Sequence, residues 1–143
     1  MQAEMPLQLA VRDETRVRIE TEMDIVIARQ QGRQLAATRG FSSTEQTLIA
    51  TAISEVARNI LEYAITGEII LRLDEKGDRR GIEVLALDEG PGIADIELAM
   101  RDGYSTAKSL GMGLPGARRL MDEFDVVSAV GRGTRITMKK WVR

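Results

Sequence analysis

The segment from Ser43 to Ala64 constrains the fold of this chain more than any other. Leu48, Ile49, Ala52, Ile53, Val56, Ala57, Ile60, Leu61 and Ala64 recur at helical spacing and form one broad apolar face. A helix with such a face has to be covered by a second layer. Ser43 with Gln46 three residues later is a capping-box pattern that opens it, and Gly67 is placed to stop it. The covering layer follows directly. Glu68 to Asp74 and Gly81 to Asp88 read as strands joined by the polar turn Lys76-Gly-Asp78, an antiparallel hairpin. Ile82-Glu-Val-Leu-Ala-Leu87 is almost wholly apolar, which suits a central strand.

The flanking segments extend the same pattern. Thr15 to Thr21 alternates polar and apolar residues, as a half-buried strand does. Asp24 can cap a helix whose stripe is Ile25, Ala28, Gly32 and Leu35, with Gly40 ending it. Asp95 to Met100 suits a short helix, and Pro115 suits the first position of a helix running to about Phe124. Asp125 to Val130 and Thr134 to Trp141 make a second hairpin around Gly131-Arg-Gly133. Residues 1 to 14 show no period and read as a tail, leaving 15 to 143 as a single domain. The expected fold is a two-layer α/β (α+β) sandwich, a mostly antiparallel sheet with its helices on one face.

Composition removes several functions. The net charge of −2 on 143 residues makes no basic face for nucleic acid. No apolar run approaches the roughly 20 residues of a membrane span, and Met1 to Glu14 does not read as a secretory signal. The chain has no Cys, hence no disulfide, thiolate metal site or Cys nucleophile. Together these point to the cytoplasm. The absence of His excludes a Ser-His-Asp triad, the usual His-containing zinc sites and self-phosphorylation on histidine. Proton transfer must rest on carboxylates, Lys or Tyr.

Four segments could carry chemistry. Glu55 and Asn59 lie one turn apart on the same side of the long helix. The carboxamide can serve a hard cation, and the carboxylate can take a proton from a hydroxyl or water. Asp88 ends an apolar strand and runs into Glu89-Gly-Pro-Gly92, where a carboxylate could accept from an exocyclic amine and glycines would admit a ring. Gly111-Met-Gly113-Leu-Pro-Gly116 precedes a helix whose free N–H groups favour phosphate oxygens, with Lys108 and Arg118 near in sequence. Gly131-Arg-Gly133-Thr134 closes the set. Each alone also reads as a solvated surface pair or an ordinary turn; the combination carries the weight.

In order and residues the four segments resemble the N, G1, G2 and G3 boxes of the GHKL superfamily, which includes the gyrase, Hsp90, histidine kinase and MutL ATPase domains. The resemblance spans about residues 17 to 141. Met23-Asp-Ile-Val-Ile-Ala-Arg29, Ile53-Ser-Glu-Val-Ala-Arg-Asn59, Asp88-Glu-Gly-Pro-Gly-Ile93, Asp102-Gly-Tyr-Ser-Thr106 and Gly113 to Phe124 narrow it. They resemble the switch serine/threonine kinases of the stressosome, relatives of the anti-sigma-factor kinases. The resemblance implies the Bergerat ATP-binding fold with a lid at Ile93 to Leu110, and ATP and Mg²⁺ as cofactors. It implies that Asn59 holds Mg²⁺ and that Glu55 is the base. Asp88 would bind adenine, beside Gly90, Gly92 and Ile93. Gly111, Met112, Gly113 and Leu114 would face the phosphates, and Thr134 would close the adenine side. The implied partners are STAS-domain substrates and a PP2C-type phosphatase that the released kinase activates. The length leaves no room for the extra domain of gyrase-like ATPases or the dimerisation domain of sensor kinases. Two alternatives stay open: an anti-sigma factor that sequesters a sigma factor, and a non-catalytic ATP-binding adaptor.

Overall fold

In the computed structural model the described residues are 14–93, 100 and 113–143. They form β1 (Glu14–Ile19), α1 (Glu22–Arg39), α2 (Ser43–Tyr63), β2 (Gly67–Lys76), β3 (Arg79–Asp88), α3 (Gly113–Leu120), β4 (Glu123–Ala129) and β5 (Gly133–Trp141). The strands make one five-stranded sheet in the order β1-β2-β3-β5-β4, and every neighbouring pair is antiparallel. The α+β sandwich expected from the sequence is borne out.

Strand alternation decides which face the helices cover. Val17, Ile19, Ile69, Leu71, Val84, Ala86, Ile136 and Met138 share one face and join Ile49, Ile53, Val56 and Ile60 of α2 in a single buried core. α1 contributes Ile25, Ala28 and Ala36, and lies close to α2 because Gly32 has no side chain; a Cβ there would stand 2.2 Å from Ile53 Cδ1. The opposite face is a lattice of charges. Arg72 joins Glu14 and Glu83, Lys139 joins Asp74 and Glu83, and Arg79 lies 4.2 Å over the Trp141 ring.

The element ends differ from the sequence reading, each for a local reason. Thr21, not Asp24, is the N-cap of α1; Asp24 is its capping-box partner and accepts from the Thr21 N–H. β1 accordingly stops at Ile19 rather than Thr21. Gly40 does end α1, in the left-handed region at φ 94°. Ser42 rather than Ser43 caps α2, and Gln46 instead donates to the Phe41 carbonyl. The first hairpin is longer than expected, and its turn narrows to Gly77 and Asp78 between Lys76 and Arg79.

Gly67 does not stop α2, which ends at Tyr63, with Ile65 turning the chain at φ 75°. Gly67 opens β2 instead, where a Cβ would meet the Leu87 carbonyl oxygen at 2.5 Å. α3 begins two residues before Pro115 and ends at Leu120, well short of Phe124, which belongs to β4. The early stop follows from β5: Lys140 Nζ donates to the Leu120 carbonyl at 2.9 Å, and Asp122 Oδ2 accepts from the Trp141 N–H. The expected helix at Asp95 to Met100 lies outside the described residues except for Met100, which is in a turn. The expected tail, Met1 to Glu14, also lies outside them except for Glu14, the first residue of β1.

Candidate functional site

The antiparallel register brings two of the sequence-predicted residues together. Asp88, last of β3, stands directly opposite Thr134 on β5, and both side chains point to the helix-covered face. Thr134 is buried, 7% exposed. Asp88 Oδ1 accepts from the Gly90 N–H at 2.9 Å, a local turn that fixes the carboxylate. Gly92 at φ 80° lets the backbone lie against β4; a Cβ there would stand 2.3 Å from the Ala129 carbonyl oxygen. Ile93 donates its N–H to Ser128 Oγ at 2.7 Å, and Gly131 donates its own to the Pro91 carbonyl. Two glycine turns far apart in sequence are thereby one wall.

Ser128 was not singled out from the sequence. It sits on the helix-facing side of β4 opposite Thr134, and its hydroxyl lies 2.8 Å from that of Thr134. A single serine in an alternating strand carries no signal of this; only the register does.

The second cluster lies where α2 meets α3. Glu55 is 3% exposed, a carboxylate inside the protein. Its Oε1 accepts from the N–H of Gly113 at 3.1 Å, the first residue of α3, which is in the left-handed region at φ 72°. The positive end of α3 thus faces a buried negative group. Asn59, one turn further along α2, is half-buried, and Leu114 is buried in the core. Gly111, Met112 and Lys108 lie outside the described residues. Arg118 points to solvent.

A groove of about 620 Å³ opens at the Asp88 and Thr134 end of the sheet. Arg18, Glu68, Leu87, Val127 and Arg135 line it, and strand alternation puts all five on the helix-free face. Asp88, Ser128 and Thr134 also line it, so the groove reaches the strand ends that carry them.

A comparison with protein families matches residues 19–140 to the histidine kinase-like ATPase domain. The chain belongs to that family. It is 50% identical over 133 residues to the serine/threonine-protein kinase RsbT of Bacillus subtilis strain 168, covering 93% of this chain and 100% of that one. An anti-sigma F factor of Thermoanaerobacter sp. strain X514 is 36% identical over 100 residues, covering 66% of this chain and 68% of that one. Among solved structures, the RsbU and RsbW domains of a Mycobacterium tuberculosis protein superpose with a TM-score of 0.61 at 21% identity, over 89% of this chain and 32% of that one. The SiaB–SiaC complex of Pseudomonas aeruginosa gives 0.55 at 11% identity, over 96% of each chain. Identities this low show the fold alone. The family and the RsbT relative bear out the expectations of ATP use and of serine/threonine-protein kinase chemistry in a partner-switching stress response. Among the described residues, no helix is long and apolar enough to cross a membrane.

Asp88 and Thr134 offer oxygens at a strand end, whereas the Glu55–Gly113 contact marks the start of a helix.

Proposed function

We propose that this chain transfers the γ-phosphoryl group of ATP to a Ser or Thr hydroxyl of a STAS-domain partner in the cytoplasm. In its other state it would bind and activate a PP2C-type phosphatase. The observation that carries this reading is Glu55, a buried carboxylate held at the start of α3, one turn before Asn59. A module that only binds nucleotide has no need of a buried base there.

In this reading Asp88 accepts the exocyclic amine of adenine, with Gly90, Gly92, Ile93 and Thr134 around the ring. The backbone of Gly111, Met112, Gly113 and Leu114 faces the phosphates. Glu55 accepts the proton of the partner's hydroxyl as its oxygen bonds to the γ-phosphorus and the bond to the β–γ bridging oxygen breaks, leaving ADP.

Asn59 would hold Mg²⁺. Among the described residues, no three His, Cys, Asp or Glu side chains gather as a metal cluster. The Asn59 carboxamide nonetheless suits this ion, which takes few protein ligands and fills its shell with phosphate oxygens and water. Bound there, the ion supplies neutralisation of phosphate charge. The match to RsbT covers 100% of that relative against 68% of the anti-sigma F factor, which supports the kinase over the anti-sigma alternative.

The test incubates the protein with γ-labelled ATP, Mg²⁺ and a candidate STAS-domain partner. Label is expected on a Ser or Thr of the partner and is expected to be lost with Asn59→Ala. Nucleotide binding without any label on the partner would reject the kinase and support the adaptor. Capture of a sigma factor in a pull-down would support the anti-sigma reading.

A further inference from the structure

The Ser128 oxygen makes three contacts and carries one proton. It lies 2.7 Å from the Ile93 nitrogen, 3.1 Å from the Gly133 carbonyl oxygen and 2.8 Å from Thr134 Oγ1. The Ile93 N–H can only donate to it, and the Gly133 carbonyl can only accept from it. Ser128 therefore spends its proton on Gly133. The contact with Thr134 is then a hydrogen bond only if Thr134 is the donor. This is the one assignment in which all three contacts are satisfied.

It has a consequence for Thr134. Its proton is committed to the wall, so toward the interior of the site its oxygen can only accept. Asp88, directly across the ladder, offers a carboxylate, which likewise accepts. Two neighbouring acceptors match an amine with two protons, and they oppose a carbonyl oxygen at the same place.

We infer that Ser128 is a specificity-determining positioning residue: by taking the Thr134 proton, it makes the site select a 6-amino purine over a 6-oxo purine. The inference rests on the proposal that Asp88 and Thr134 receive the base of ATP. Ser128 acts on the base only through Thr134, and it also anchors the Ile93 backbone, so affinity alone does not report its role. The ratio of affinities does.

The experiment compares ATP with inosine triphosphate by titration calorimetry in Mg²⁺, using the full chain. Wild type should prefer ATP. Ser128→Ala frees the Thr134 hydroxyl to rotate and donate to a 6-oxo group, and should narrow the preference about tenfold, the worth of one hydrogen bond. Ser128→Thr keeps a hydroxyl and should keep the preference. In a Thr134→Val background, adding Ser128→Ala should leave the ratio where Thr134→Val put it. If Ser128→Ala does not fold, Ser128→Cys, whose sulfur is a weak acceptor, should narrow the ratio in the same direction.

An unchanged ratio in the serine variants, or equal narrowing with and without the Thr134 hydroxyl, overturns the inference. Asp88→Asn separates this from the reading beneath it. If Asp88→Asn leaves ATP affinity unchanged, the base site itself is misassigned. If it weakens ATP while the Ser128 variants leave the ratio intact, only the role of Ser128 falls.

Discussion

Replacing Glu55 separates a group retained for chemistry from one retained for packing. Glu55→Gln keeps an acceptor for the Gly113 N–H, now 3.1 Å from Oε1. It exchanges a hydrogen bond to a charged group, worth about 1.5–3 kcal/mol, for a neutral one worth about 0.5–1.5, a loss of roughly 1 kcal/mol. Against this, it removes the desolvation of a carboxylate that is 3% exposed, which amounts to several kcal/mol per ion before compensation. The two contributions oppose each other, so Glu55→Gln is expected to stay closer to wild type than a variant that removes the acceptor. Glu55→Ala also ends the desolvation but strips the Gly113 N–H of that partner, at about 1–3 kcal/mol, and leaves a cavity; a better helix former recovers only a few tenths. The expected order of stability is therefore Gln above Ala, since only Gln keeps an acceptor for the Gly113 N–H. Urea unfolding followed by the fluorescence of Trp141, the sole tryptophan, measures it. Phosphoryl transfer should behave differently, falling in both variants by about 10²–10⁴ because neither side chain can take the proton. Transfer within about threefold of wild type in Glu55→Gln refutes the base. A loss of stability in Gln as large as in Ala refutes the claim that an acceptor for the Gly113 N–H is what holds this position.

Two further outcomes follow from the same geometry. Gly133→Ala places a Cβ 2.1 Å from the Asp88 carbonyl oxygen at φ 97°, so backbone must shift; a loss of about 3 kcal/mol in urea unfolding is expected, together with weaker ATP binding, and unchanged values for both would contradict the register at this end. The carboxyl of Glu14 is held below its ordinary value, first by the hydrogen bond from Arg72, then against a desolvation that raises it, with Arg16 adding to the lowering. Its unfolded state therefore binds a proton at a higher pH than its folded state, so the stabilisation is whole above about pH 5 and fades as pH falls through the lowered folded value. Glu14→Gln should flatten the stability profile below about pH 5, and parallel profiles for the two proteins would show that the pair carries no pH dependence.

What the sequence showed and what it hid divide along a physical line. α2 was legible because nine apolar residues at helical spacing admit no other layer geometry, and β3 because its run is apolar almost throughout. The end of α3 and the role of Gly67 were not legible, since distant groups set them. Leu120 ends α3 where Lys140, twenty residues on, reaches its carbonyl. Gly67 looks like a helix stop but is kept small by the Leu87 carbonyl on the neighbouring strand.

The candidate site divides in the same way. Spacing put Glu55 and Asn59 on one side of a helix, but could not say that Glu55 is buried against Gly113, because that contact joins positions 58 residues apart. Asp88 and Thr134 were both singled out, yet their facing each other is a property of the β3–β5 register. Ser128 depends wholly on that register and on the direction of one proton, which no residue pattern encodes. In the proposed reading the motifs name the groups that touch a ligand, whereas Ser128 sets selectivity from where strands distant in sequence meet. A substitution at position 128 would leave every motif of the family intact and still change what the site prefers.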